Sequence, residues 1–247
     1  MGTEVKDLIW QMARENPTWG VPRIHGELLK LGVEVSERTV SRYLPRRPSN
    51  PDKIKQWKTL LSNHRDSIAA MDFFTIPTVA FRMLYGFFVI HHGRRLLVHL
   101  NVTFHPTAEW VIQQLRNAFP YTTSPGYLLF DRDCVFSARV REAIRAFGMR
   151  PVRTGYRSPW FNGVAERWIG SCRRELLDHV IVLSEDHARR LWWEYGRYYN
   201  ADRCHLGLGK DTPSPRWVQK RPSDNAGIAA FPRLGGLQHR YEWRAAA

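Results

Sequence analysis

Apolar positions recur at helical spacing through the first forty-odd residues and then change to an extended pattern near Ile68. Leu8, Ile9 and Met12 share one face of a helix predicted from about Glu4 to Glu15, which Asn16-Pro17 stops. Pro22 opens a second helix with Ile24, Leu28 and Leu29 as its stripe, and Gly32 is placed as its C′ glycine. Ser36 is positioned to N-cap Glu37–Leu44, with Val40, Tyr43 and Leu44 inward. Residues 1–45 therefore predict a small all-α domain. Its helix, glycine turn, helix layout suits a helix-turn-helix, with Arg38, Thr39, Ser41 and Arg42 on the exposed face of the last helix. A plain three-helix bundle with a solvated charged face has the same pattern.

Residues 46–64 read as a basic linker, because three prolines within 45–51 cannot continue a helix. Beyond it, Ile68–Thr75, Met83–Ile90 and Arg95–Leu100 read as consecutive strands rich in branched and aromatic residues. Glu109–Phe119 is helical, with Val111, Ile112, Leu115 and Phe119 inward. Tyr127–Phe130 is a short buried strand, Ala138–Phe147 a helix, and Pro151–Arg153 a candidate fifth strand. After a loop at 155–162, a long helix is expected from about Gly163 to Val180. A last one follows Ser184, its first turn carrying Glu185 and Asp186 as the helix dipole prefers. This order predicts an α/β core, residues 65–205, with a mixed sheet flanked by helices. Residues 206–247 form a tail rich in proline and glycine, for which little structure is expected.

Charge narrows the partners. The net charge is +14, and 30 of the 37 basic residues are arginine, whose planar fork suits bidentate phosphate contacts. Between Arg38 and Lys58 seven basic residues, Arg46 and Arg47 among them, face one acid, Asp52. A polyanion, DNA or RNA first, is the expected partner. Cys134, Cys172 and Cys204 form no C-x-x-C pair, which fits a reducing cytoplasm. No apolar run reaches the roughly 18 residues of a membrane span, and no signal peptide is evident, so no membrane partner is expected.

Three carboxylates sit against this grain. Asp72 interrupts the apolar run Ile68–Phe74, Asp131 ends Tyr127–Phe130, and Glu166 lies on the helix after the 155–162 loop. An unpaired charge in a buried strand is costly, so such acids are paired, protonated or bound to a cation. Each has a bland alternative: a misplaced turn, an exposed strand end, a surface pair with Arg167 or Arg174. Taken together they can converge on one point, and hard oxygen donors are what Mg²⁺ requires. No G-x-S-x-G nucleophile motif is present. Gly209-Lys210-Asp211-Thr212 imitates a phosphate loop but lacks its spacing.

Over about residues 17–215 the pattern resembles the DDE transposase and retroviral-integrase superfamily, most closely bacterial insertion-sequence transposases with an integrase core. Asn16-Pro17-Thr18-Trp19-Gly20 with Arg23–Leu28 is similar to that family's helix-turn-helix. Ser158–Arg167 is similar to the stretch carrying its glutamate, and Tyr199-Asn200, Arg203, His205, Leu208 and Thr212-Pro213 to the segment that closes its core. The resemblance implies a ribonuclease-H-like five-stranded sheet. It implies Asp72, Asp131 and Glu166 as catalytic ligands of two Mg²⁺ (or Mn²⁺) ions, and DNA contacts from Asn162 and Arg173. It implies metal-dependent cleavage and strand transfer on double-stranded DNA, at mobile-element ends and target, by a dimer or higher oligomer in a bacterial, nucleoid-associated setting. The alternative is a catalytically silent DNA-binding remnant that represses a mobile element. One departure is Asp133, where the family has glycine; it competes with Asp131 as a ligand. Asp131 leaves 34 residues (132–165) before Glu166, one short of the family's commonest spacing.

Overall fold

Two compact units divide the chain, Met1–Gln56 and Trp57–Ala247. The computed structural model describes residues 3–16, 19–44, 59, 63–120, 124–155 and 162–245. In the first unit, α1 (Thr3–Glu15), α2 (Val21–Lys30) and α3 (Glu37–Tyr43) enclose a small core of Ile9, Ile24, Leu28 and Val40. Ser36 caps α3, its Oγ accepting from the Thr39 N–H at 3.2 Å, and Gly32 takes φ +75 after α2. Leu29, expected in the stripe of α2, is instead 48% exposed: the apolar face of a ten-residue helix is filled by Ile24 and Leu28. Arg38, Ser41 and Arg42 are exposed and Thr39 is half-buried. Arg46 and Arg47 lie outside the described residues.

The second unit is built on β1 (Ile68–Pro77), whose Ile68, Ala69, Ala70 and Met71 are fully buried. It pairs antiparallel with β2 (Met83–His91), which pairs antiparallel with β3 (Leu97–Thr103). On its other edge β1 runs parallel to β4 (Tyr127–Phe130), and β4 parallel to β5 (Arg150–Arg153). The order is β3-β2-β1-β4-β5. One apolar layer joins Ala69, Met71, Leu128 and Phe130 to α4 (Ala108–Ala118) and α5 (Ala138–Ala146). The other joins Ala70, Phe74, Phe88 and Leu129 to α6 (Gly163–Glu175) and α7 (Glu185–Ala201). A strand sends alternate side chains to opposite faces, so a central strand between two helix layers must be apolar at nearly every position. This is the ribonuclease-H-like mixed sheet.

Three expectations are corrected. The third strand begins at Leu97 rather than Arg95, because Arg95 has φ +57 in the preceding turn. The helix expected to reach Val180 ends at Glu175: Leu176 leaves helical geometry (φ −134, ψ −63), and Leu177–His179 form one tighter turn. The tail is not structureless. β6 (Gly227–Arg233) and β7 (Gln238–Arg244) pair as an antiparallel hairpin. Its anchor is Asp202, only 5% exposed at its side chain, which accepts from Arg233 Nε at 2.6 Å and Arg240 Nη1 at 2.9 Å. Leu234 adds an apolar contact to the core. Upstream, Arg94 donates to the Asp211 carboxylate at 2.8 Å and to the Thr212 carbonyl at 2.7 Å, fastening the segment that precedes the hairpin.

Candidate active site

Register brings the first two acids together. Ala70 of β1 pairs with Leu129 of β4, and Asp72 and Asp131 each stand two residues further on. Side chains two apart on a strand share a face, so both acids project on the side of Ala70, Phe74 and Leu129, the side that α6 covers. α6 is held to β1 by Trp168, whose ring meets Phe74 edge-on at 5.6 Å, and by Arg173, whose Nη2 donates to the Thr75 carbonyl at 3.3 Å. Glu166 is exposed on this helix, and no ion pair with Arg167 or Arg174 is formed among the described residues.

Electrostatics gives the grouping its content. Burial, then the charge of Asp131, with Glu166 and Asp133 adding to both, pushes the Asp72 carboxyl up to about 7; the Phe73 N–H, donating to Oδ1 at 2.8 Å, opposes the rise. Asp131 is also raised, first by burial. The Asp133 N–H (2.9 Å to Oδ1) and the nearby Arg153 act against that rise. Asp133 itself is exposed, and its Oδ1 accepts from the Val135 N–H at 3.1 Å, a turn-closing contact.

Asn162 stands just outside α6 as its N-terminal cap residue rather than within the helix. Its Nδ2 donates to Asp72 Oδ2 at 3.4 Å, while its Oδ1, buried, has no hydrogen-bond partner among the described residues. An orphaned acceptor beside mutually repelling carboxylates marks a place short of positive charge. Hard oxygen donors in this number fit a divalent cation. As the side chains stand, no three His, Cys, Asp or Glu groups among the described residues enclose one ion position.

Residues 147–213 match the sequence model of the integrase core domain family. That match spans about a quarter of the chain, and over it the chain is similar to the integrase core. The matched stretch contains α6 and α7, with Asn162, Glu166 and Arg173. No curated protein matches the sequence. Among solved structures, the simian T-cell lymphotropic virus intasome in complex with a PP2A regulatory subunit matches at 12% identity and TM-score 0.48, over 90% of this chain and 83% of that one. The HTLV-2 integrase catalytic core in complex with magnesium matches at 14% identity and TM-score 0.46, over 60% and 93%. The catalytic domain of Mos1 mariner transposase matches at 14% identity and TM-score 0.49, over 61% and 83%. No helix among the described residues is long and apolar enough to cross a membrane.

Sequence reasoning named the acids and Asn162 as candidates, but not one neighbour, Arg153, nor one contact, that of Asn162 with Asp72. Arg153, opposite Phe130 in the β4–β5 ladder, acts on Asp131. Asn162 contacts Asp72 itself, where a DNA contact was expected. The first is legible once β4 and β5 are paired; the second needs the approach of α6.

Proposed function

We propose that the protein is a DNA strand-transferase of the insertion-sequence type, cutting at the ends of a mobile element and joining them to target DNA. The observation that carries this is the convergence of Asp72 and Asp131 on the sheet face covered by the Glu166 helix, with Asp72 raised to about 7 by burial and by these very neighbours. Asp72, Asp131 and Glu166 are the groups that would hold two Mg²⁺ or Mn²⁺ ions. When bound, the ions supply activation of the attacking oxygen and neutralisation of charge on the leaving one. No protein nucleophile is needed. Asn162 keeps the Asp72 carboxylate oriented, and Arg173, anchored to the Thr75 carbonyl, offers its remaining N–H groups to a backbone phosphate. Arg38, Thr39, Ser41 and Arg42 on α3, with Arg46 and Arg47 after it, read the element's ends, and two copies of the chain hold two ends together. A domain division of 1–45, 46–64, 65–205 and 206–247 goes with these roles.

A strand-transfer assay with Asp72→Asn and Glu166→Gln tests the proposal. Loss of joining with end binding retained is expected for both. Joining that survives either change refutes it, and end binding without joining in the unmodified chain identifies a silent repressor instead.

A further inference from the structure

A second concentration of unsatisfied charge lies on the adjoining face of α6. A cleft of about 360 Å³ is bounded by the turn before β3, by α6 and by the 203–207 segment; Arg95, Arg167, Ser171, Arg174, Arg203 and His205 line it. Arg203 is already neutralised: its Nε donates to both Glu175 oxygens at 2.9 and 2.8 Å, and Nη2 donates at 2.6 Å. Arg95, Arg167 and Arg174 have no ion pair or side-chain hydrogen bond among the described residues. Crowding is felt at Arg95, whose pKa is lowered by burial and then by Arg167.

His205 fixes the sign of what is missing. It is 4% exposed, and its Nδ1 lies 3.2 Å from Arg203 Nη1. A guanidinium only donates, so Nδ1 accepts and the ring proton sits on Nε2. That Nε2 is buried and without a hydrogen-bond partner. The ring is neutral, since burial and then Arg203 hold its pKa down to about 4, against the pull of the Tyr199 carbonyl. Ser171 Oγ accepts from Arg203 Nη2 at 3.5 Å, which leaves its own proton to give. The cleft therefore offers more donors than acceptors.

The backbone is shaped to present Arg95. Its φ of +57 is a left-handed conformation that a non-glycine residue adopts at a cost. Its guanidinium rests against Gly207, where an added Cβ would fall 2.0 Å from Nη2. Only a residue without a side chain leaves that guanidinium its place.

We infer that this cleft is a phosphate-binding site, separate from the acidic cluster, in which Arg95 and Arg174 grip the phosphate oxygens and His205 Nε2 and Ser171 Oγ complete the donor set. Planar guanidinium forks match phosphate oxygens bidentately. A backbone phosphate of DNA and a free phosphate share that chemistry; the first source, but not the site itself, rests on the strand-transferase proposal.

Two arms separate the sources. Thermal unfolding of the full chain is compared in inorganic phosphate and in chloride at matched ionic strength. The salt dependence of duplex binding is measured in parallel. Phosphate should raise Tm by a few degrees. Arg95→Gln/Arg174→Gln should abolish the rise, and so should Gly207→Ala, which leaves net charge unchanged and displaces Arg95. If the strand supplies the phosphate, the double variant also lowers the log–log salt slope by about 1.8, at about 0.9 per contact; an unchanged slope assigns the site to free phosphate. A phosphate effect that is absent in the unmodified chain, or that persists in Gly207→Ala, overturns the proposal. Asp72→Asn should keep the phosphate effect, so a failure of strand transfer and a failure of this cleft are told apart.

Discussion

Helix α6 carries opposite chemistries on neighbouring faces. On one, Asn162 meets Asp72, on which the charges of Asp131 and Glu166 act, an excess of negative charge with a buried oxygen left unpaired among the described residues. On the other, Arg167, Ser171 and Arg174 meet Arg95 and His205, an excess of donors with a buried nitrogen left unpaired. Elsewhere the same residue types are matched: Arg203 with Glu175, and Arg233 and Arg240 with Asp202. Matched charge holds the fold together; unmatched charge waits for something from outside. The contrast separates scaffolding from site more clearly than burial does.

The sharpest way to break the contrast is to remove an acid. Loss of several kcal/mol of transition-state stabilisation corresponds to roughly a 10³-fold fall in joining rate, expected for Asp72→Asn and Glu166→Gln in a strand-transfer assay. Arg95→Gln/Arg174→Gln should lower the same rate by no more than about tenfold. Equal losses would erase the distinction between the two faces.

Matched pairs should respond in stability rather than rate. Asp202→Ala leaves two arginines without their carboxylate and should cost about 3 kcal/mol, and Glu175→Ala, at a more exposed pair, about 2 kcal/mol, both read by chemical denaturation. A neutral outcome at Asp202 would mean the hairpin is not anchored through it.

Protonation gives a subtler contrast. The folded chain holds a proton on Asp72 up to about pH 7, whereas an ordinary aspartate releases it near 3.8. Stability from this group is therefore fully present below about pH 4 and is lost as pH rises through 7. Asp131, raised as well, contributes in the same direction. In metal-free buffer, Asp72→Asn should flatten that decline and exceed the unmodified chain in stability at pH 8, with the gap closing toward pH 4. A gap that is independent of pH would contradict the shift. The smallest effect belongs to α3: Arg38→Ala and Arg42→Ala should each reduce the salt slope of DNA binding by about 0.9.

Much of this was legible in the sequence because the central sheet obeys simple rules. Ile68–Met71 is apolar at every position because helices cover both of its faces, and Asp72 stands out against that run. The caps at Ser36 and Gly32 follow from local backbone chemistry. The β6–β7 hairpin escaped because Gly227, Pro232, Gly235 and Gly236 read as breakers, and because its anchor is an ion pair from a distant helix rather than an apolar stripe. The donor cleft escaped for a related reason: Arg95 and His205 are remote in the chain, and only the packing of α6 between their loops joins them. Periodicity reports which face is buried, not which charges are left over.

The central claim is that the carboxylates of Asp72, Asp131 and Glu166 together hold a cation. Crystals soaked in Mn²⁺ and measured for anomalous scattering test it most directly. The account predicts anomalous peaks within coordination distance of all three side chains, lost in Asp72→Asn. No peak at that end of the sheet, or one bound by Asp133 with Asp131 left free, would contradict it.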